Sequence, residues 1–167
     1  KILNGDNESE VQIFFSSNHI MFDFDSTLVV SRLIEGEYFR ISQMLSSDYE
    51  TKVSVNRRTF LDSIERASIL IRENDKKPII ITISDEGMQL KMNSAFGTMS
   101  AEVGITKYGK DLMIGFNPKF LIDALRIIDD EEVTLYMMNP KSPCFIKDEE
   151  ENYIYLILPV NFNAAAV

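Results

Sequence analysis

Short runs of alternating apolar and polar residues fill most of the chain and are interrupted twice by a longer period. Val11-Gln-Ile-Phe-Phe, His19 to Phe24 and Thr27 to Leu33 predict three strands, with Ser16-Ser17-Asn18 and Asp25-Ser26 as the turns between them. Lys52 to Val55 predicts a fourth. From Arg57 to Arg72 the spacing changes. Phe60/Leu61, Ile64, Ala67/Ser68 and Ile71 recur at i, i+3/4 and i+7, which predicts a helix with one buried stripe and Asn56 as its N-cap. Strand character returns at Pro78 to Ser84, Met88 to Asn93, Met99 to Ile105 and Leu112 to Phe116, with Asp85-Glu86-Gly87 as a hairpin turn. Pro118 to Ile128 predicts a second helix, capped by Asn117, with proline at the first helical position. Its stripe is Phe120/Leu121, Ala124/Leu125 and Ile128. Val133 to Met138, Phe145 to Lys147 and Tyr153 to Val160 predict the closing strands.

The order repeats. The first helix opens Asn56-x-x-x-Phe60-Leu61-Asp62-x-Ile64 and the second Asn117-x-x-Phe120-Leu121-Ile122-Asp123-x-Leu125. The capping Asn and the Asp are each displaced by 61 residues (117 − 56 and 123 − 62), and Glu10-Val11-x-Ile13 returns as Glu132-Val133-x-Leu135 at twice that distance. A fixed period of this kind marks a supersecondary unit used more than once. Here the unit reads strand–helix–three strands, a β-α-β-β-β repeat in an α+β fold. Any two amphipathic helices share apolar positions; the shared Asn and Asp spacing goes beyond that. Residues 47–163 then hold two complete units, residues 1–46 the last three strands of an earlier one that would include a helix ending at Ile2-Leu3, and residues 164–167 a tail.

Composition adds bounds. A chain of 167 residues allows one domain or one plus a fragment. With 45% hydrophobic and 26% charged residues it is neither disordered nor fibrous. The single cysteine, Cys144, cannot form an internal disulfide and suits a reducing, cytoplasmic setting. The chain opens on Lys1 with no basic-then-apolar leader, which reads as a piece of a larger protein.

Charge narrows the partners. Seventeen basic against twenty-six acidic residues leave −9, a field that repels polyanions and disfavours an all-over nucleic-acid-binding surface. Two acidic runs, Asp129 to Glu132 and Asp148 to Glu151, read as solvated turns. The first helix differs, carrying Arg57, Arg58, Arg66 and Arg72 against Asp62 and Glu65. That is an ordinary solvated face, or a weak non-specific contact for a phosphate backbone.

One motif suggests an enzyme. Met21-Phe-Asp-Phe-Asp-Ser-Thr-Leu-Val29 resembles the first motif of the haloacid dehalogenase-like phosphatases, in which Asp23 would be the nucleophile and Asp25 the general acid. That resemblance implies magnesium on carboxylates including Asp129 or Asp130, with Ser84 holding the phosphoryl group. Its context argues against it. The motif should lead into a helix, and Thr27-Leu-Val-Val-Ser-Arg-Leu is β-branched strand.

Four stretches carry a broader resemblance. Arg32-Leu-Ile-Glu-Gly-Glu-Tyr38, Ile114-Gly-Phe-Asn-Pro-Lys-Phe-Leu-Ile-Asp-Ala-Leu125, Lys141-Ser-Pro-Cys-Phe-Ile146 and Tyr155-Leu-Ile-Leu-Pro-Val160 resemble, in collinear order, the bacterial DNA polymerase III sliding clamp, the beta subunit. The resemblance implies a DNA clamp fold of antiparallel outer sheets and inner helices, in a three-domain protomer that pairs as a full-length homodimer ring around duplex DNA. This chain would hold the second half of the middle domain and the C-terminal domain. It implies a non-catalytic processivity factor with no cofactor and no metal. Polymerase, clamp loader and repair proteins would dock their linear peptides in a hydrophobic cleft. Carried over by position, the cleft is Phe39, Gln43, Met44, Asn117, Phe120, Pro143, Leu156, Ile157, Leu158, Pro159, Val160, Asn161 and Phe162. The ring interface would use Ile69 and Leu70, and Arg57, Arg58, Arg66, Lys119 and Arg126 would face DNA. Phe39 stands where the family often has proline, Gln43 where some members have arginine and Phe120 where some have tyrosine. His19 stands without ligand spacing and reads as a surface strand residue, and Cys144 as a packing residue.

Overall fold

The computed structural model describes residues 10–24, 26–37, 48–70, 77–150 and 152–163. The chain divides after Leu45 into two compact units. The first is a three-stranded antiparallel meander of β1 (Gln12–Phe15), β2 (His19–Phe24) and β3 (Thr27–Arg32). No described residue of it is fully buried, and Phe15, Leu28 and Val30 are exposed. Three strands alone have little to bury their apolar side chains against.

The second unit holds the core. Its elements are β4 (Thr51–Asn56), α1 (Arg57–Ser68), β5 (Ile79–Ser84), β6 (Gly87–Ser94), β7 (Gly97–Val103), β8 (Ile105–Gly109), β9 (Leu112–Phe116), α2 (Pro118–Ile127), β10 (Glu132–Met137), β11 (Cys144–Lys147) and β12 (Ile154–Ile157). They form a five-stranded sheet, β12-β11-β10-β4-β8, and a four-stranded one, β7-β6-β5-β9, with every pair antiparallel. Alternation decides which side chains go in. Val53 and Val55, then Ile79, Ile81 and Ile83, then Met88, Leu90 and Met92 enter one core together with Phe60, Ile64, Leu121 and Leu125 of the paired helices.

The repeat is real, and the pairing shows how it closes. The first unit runs β4-α1-β5-β6-β7 and the second β9-α2-β10-β11-β12. Their leading strands are exchanged: β4 pairs with β10, and β9 with β5. Each sheet thereby includes a strand of the other repeat. Periodicity alone gave no hint of that exchange. Asn56 and Asn117 cap as expected, their side-chain oxygens accepting from the backbone N–H of Thr59 and Lys119 at 3.0 Å each.

Two expectations need correction. The predicted strand Met99 to Ile105 breaks at Gly104; β7 ends at Val103, and β8 begins at Ile105 in the other sheet, paired with β4. The missed strand places a lysine, Lys107, at an inward position, which hides it from an apolar-alternation reading. Its side chain is only 6% exposed, and its ammonium donates to the Gly109 carbonyl at 3.0 Å and pairs with Asp85 Oδ1 at 2.8 Å and with Asp111. These hydrogen bonds, first to Asp111 and then to Asp85, raise its pKa above the usual lysine value, against the opposing effect of burial. Lys107 therefore ties β8 to the β5–β6 turn of the other sheet. The following Gly109 has φ +91°, and a Cβ there would lie 1.9 Å from the Glu50 carbonyl oxygen, so no other residue fits this turn.

The first helix is also shorter than expected. It stops at Ser68, with Ile69 as its C-cap, rather than reaching Arg72. Ile71 and Arg72 lie outside the described residues, as do Ile2, Leu3, Asp25, Tyr38 and Glu151.

Candidate functional site

The two helices of the repeat share one burial pattern. At an offset of 61, every pair from 58/119 to 64/125 has the same degree of exposure, and so do 66/127 and 67/128. Phe60 and Leu121 are fully buried, as are Ile64 and Leu125. The outward positions differ in chemistry. On α1 they are Thr59 and Arg66, joined through Ser63, whose hydroxyl donates to the Thr59 carbonyl at 2.8 Å and accepts from Arg66 Nη2 at 3.1 Å. On α2 the same positions are Phe120 and Ile127, 53% and 67% exposed, with the buried Ala124 between them in the place of Ser63.

That apolar face of α2 forms one wall of a groove of about 390 Å³. The other wall is β12 and the residue after it: Tyr155, Leu156, Ile157 and Leu158. Ile157 turns into the core, whereas Leu158 is 61% exposed. Among the described residues Asp123 is the one charged lining residue. Three large apolar side chains left in water at one concave place cost solvation that a partner would recover, about 1.5–3 kcal/mol for each side chain fully covered.

The structure brings together four of the residues assigned to the cleft: Phe120, Leu156, Ile157 and Leu158. Phe39, Gln43 and Met44 lie outside the described residues. The rest have other surroundings. Asn117 is occupied in capping α2, and Pro143 is half-buried just before β11. After Pro159 the chain crosses to β9, where the Val160 N–H donates to the Gly115 carbonyl at 2.8 Å. Phe162 lies over the same glycine, so close that a Cβ on Gly115 would be 2.8 Å from its ring. Asn161 and Phe162 thus line a different groove. Reading residues singly missed Asp123, Ala124, Ile127 and Tyr155 as lining. The signal for two of them was present, since Ala124 and Ile127 follow Phe120 at i+4 and i+7 on one helical face.

The arginines divide in the same way. Arg57 donates to the Asp130 carbonyl at 2.7 Å and the Leu125 carbonyl at 3.1 Å, so it caps the C-terminal end of α2. Arg126 pairs with Glu65 across the helices at 2.8 Å. Arg66 is held by Ser63. Arg58 and Lys119, equivalent in the repeat, are exposed, and neither side chain bonds to a described residue. Ile69 is 80% exposed at the end of α1, and Leu70 is half-buried.

The phosphatase motif does not find its geometry. Asp23 lies within β2 opposite Leu28, and the chain enters strand β3 where that chemistry needs a helix. Asp130 accepts the Tyr153 hydroxyl at 2.6 Å, and Ser84 Oγ accepts a turn N–H. Burial first, and then that bond, raise the Tyr153 pKa. Among the described residues no three His, Cys, Asp or Glu side chains converge to hold a metal. His19 is exposed, its Nδ1 2.7 Å from Asn18 Oδ1; Cys144 is fully buried, its thiol pKa pushed up to about 12. No described helix is long and apolar enough to cross a membrane.

Comparison with known proteins agrees with this architecture. The beta sliding clamp of Staphylococcus aureus is 34% identical over 158 residues, 93% of this chain and 42% of that protein. A structure solved from Eubacterium rectale as a DNA polymerase III beta subunit is 62% identical with a TM-score of 0.88, covering 98% of this chain and 44% of that one. The sliding clamp of Bacillus subtilis follows at 28% identity and a TM-score of 0.82, over 95% and 43%. The chain therefore spans less than half the length of these relatives. The family described as DNA polymerase III beta subunit, C-terminal domain, matches residues 42–161. With that match covering most of the sequence, and with the α+β clamp fold shared by its solved relatives, the chain belongs to the DNA polymerase III beta subunit family, the sliding clamps of DNA replication.

Proposed function

We propose that this chain is the C-terminal part of a non-catalytic, cytoplasmic processivity factor. The whole protein pairs into a ring around duplex DNA and tethers polymerase, clamp loader and repair proteins. In this reading residues 1–46 are the second half of a middle domain, incomplete here, residues 47–163 are the C-terminal domain, and residues 164–167 are a tail. The observation that carries it is the groove of Phe120, Ala124 and Ile127 against Leu156 to Leu158. It suits the leucine and phenylalanine anchors of a linear peptide, because its exposed walls are apolar and already in place. The family resemblance assigns to the same cleft Phe39, Gln43 and Met44, which lie outside the described residues, together with Asn117, Pro143, Pro159, Val160, Asn161 and Phe162. Ile69 and Leu70 meet a neighbouring protomer.

A topological link to DNA needs little binding energy, and a −9 protein can slide if only a few cations meet phosphates. Arg58 and Lys119, whose guanidinium and ammonium heads bond to no described residue, fit that role best. Arg57, Arg66 and Arg126 already have partners within the protein.

The test is fluorescence anisotropy of a labelled Gln-Leu-x-Leu-Phe peptide titrated with this protein. Saturable binding that disappears when the peptide's Leu and Phe become Ala, and in Leu158→Ala, is the expected result. Equal binding of both peptides, or none to a folded sample, contradicts the reading.

A further inference from the structure

A second groove lies on the face of the four-stranded sheet opposite the core. Along β5 the core takes Ile79, Ile81 and Ile83, and along β6 it takes Met88, Leu90 and Met92. Ile80, Lys91 and Asn93 therefore share the other face, where Ile80 stands directly opposite Lys91 on one side and Gly115 on the other. Because Gly115 has no side chain, the segment after β12 can cross here, fixed by the Val160–Gly115 hydrogen bond, and lay Phe162 against Gly115 and Ile80. The result is a groove of about 330 Å³. Phe162, Pro78 and Ile80 form its apolar part, and Lys77, Lys91 and three asparagines its polar part. It shares no lining residue with the groove at Phe120.

Its charge is the unusual feature. The chain carries −9, and the groove at Phe120 contains Asp123, yet among the described residues this one is lined by two lysines and no carboxylate. Neither Lys77 nor Lys91 forms an ion pair with a described residue. Two ammonium groups beside an apolar surface that includes an aromatic ring match an aromatic side chain flanked by carboxylates. The volume, at the lower end of ligand pockets, suits a side chain or two. A long nucleic acid is the poorer match, because it would set many phosphates against the surrounding acidic surface.

We propose that this groove is a second docking site, for an acidic linear peptide with an aromatic residue between its carboxylates. The site is independent of the groove at Phe120, so a partner could engage either one.

The probe is a fluorescein-labelled acetyl-Asp-Asp-Phe-Asp-Asp peptide, compared with the same peptide carrying Asn for Asp. The expected result is saturable binding by the full chain, at least about tenfold weaker for the Asn peptide and for Lys91→Glu or Lys77→Glu. The charge-matched control Lys141→Glu, an exposed lysine in the β10–β11 connection, should change affinity by less than about twofold. Thermal melting of each variant confirms folding. Three results overturn the proposal: no saturation by about 1 mM peptide, an equal effect of Lys141→Glu and Lys91→Glu, or equal binding of the Asn peptide. A short duplex oligonucleotide that depends on Lys91 while the peptide does not would reassign the surface to nucleic acid and equally overturn it.

Discussion

The two helices of the C-terminal unit occupy equivalent places in the repeat, yet their outward faces differ: one is polar and the other apolar. Both are capped by asparagine and both bury one stripe in the same core. The outward positions of α1 are closed by its own polar groups, Thr59 with Ser63 and Arg66, whereas those of α2 leave Phe120 and Ile127 in water. Burial pattern is thus a property of the fold, and the chemistry of the exposed positions is what makes one copy self-contained and leaves the other with an open apolar face. A second asymmetry runs the other way. Arg57 at the start of α1 caps the end of α2, and its counterpart Pro118 has no side chain that could return the contact.

Substitutions should break this comparison in a graded order. The largest effect belongs to the shared stripe: Phe60→Ala and Leu121→Ala should each cost about 3–5 kcal/mol, measured by urea denaturation, because both side chains are fully buried. A cost below about 1 kcal/mol at either position would mean that the two copies are not equally anchored. Arg57→Ala comes next, at about 1.5–3 kcal/mol, since it leaves helix-end carbonyls without a charged donor. The caps follow, with Asn56→Ala and Asn117→Ala each near 1 kcal/mol in the same assay. Equal losses there sharpen the equivalence, and a large difference breaks it.

Lys107 gives the smallest effect, and one that depends on pH. Its pKa is raised in the folded chain by Asp111 and Asp85. The stability it contributes is therefore fully present below the unfolded lysine value of 10.5 and is lost as pH rises through the higher folded value. Thermal melts of Lys107→Met and the parent protein should differ at pH 8 and converge in strongly alkaline buffer. A constant gap across that range would assign the role of Lys107 to packing alone.

The element list and the repeat were legible because period-2 and period-3.6 patterns and two asparagine caps are local signals. The exchange of β4 and β9 between sheets was not, since pairing is set by tertiary closure rather than by the alternation within a strand. The strand β8 was hidden by a lysine that is buried only because two turn carboxylates meet it. Of the groove beside α2, Phe120 and Leu156 to Leu158 were named through the family resemblance. Asn161 and Phe162 were carried over with them, but the close approach at Gly115 takes them to the other groove. A glycine's lack of a side chain leaves no apolar pattern to read, and the contact it permits is long-range.

The most direct test of the account exchanges chemistry between the copies without touching the stripe. Phe120→Thr with Ile127→Arg gives α2 the outward residues of α1. Anisotropy of the Gln-Leu-x-Leu-Phe peptide, run beside a denaturation curve, separates binding from folding. The account predicts stability within about 1 kcal/mol of the parent, because both positions are exposed, together with loss of peptide binding by at least about tenfold. Retained binding by the folded double variant would contradict it and place the docking surface elsewhere.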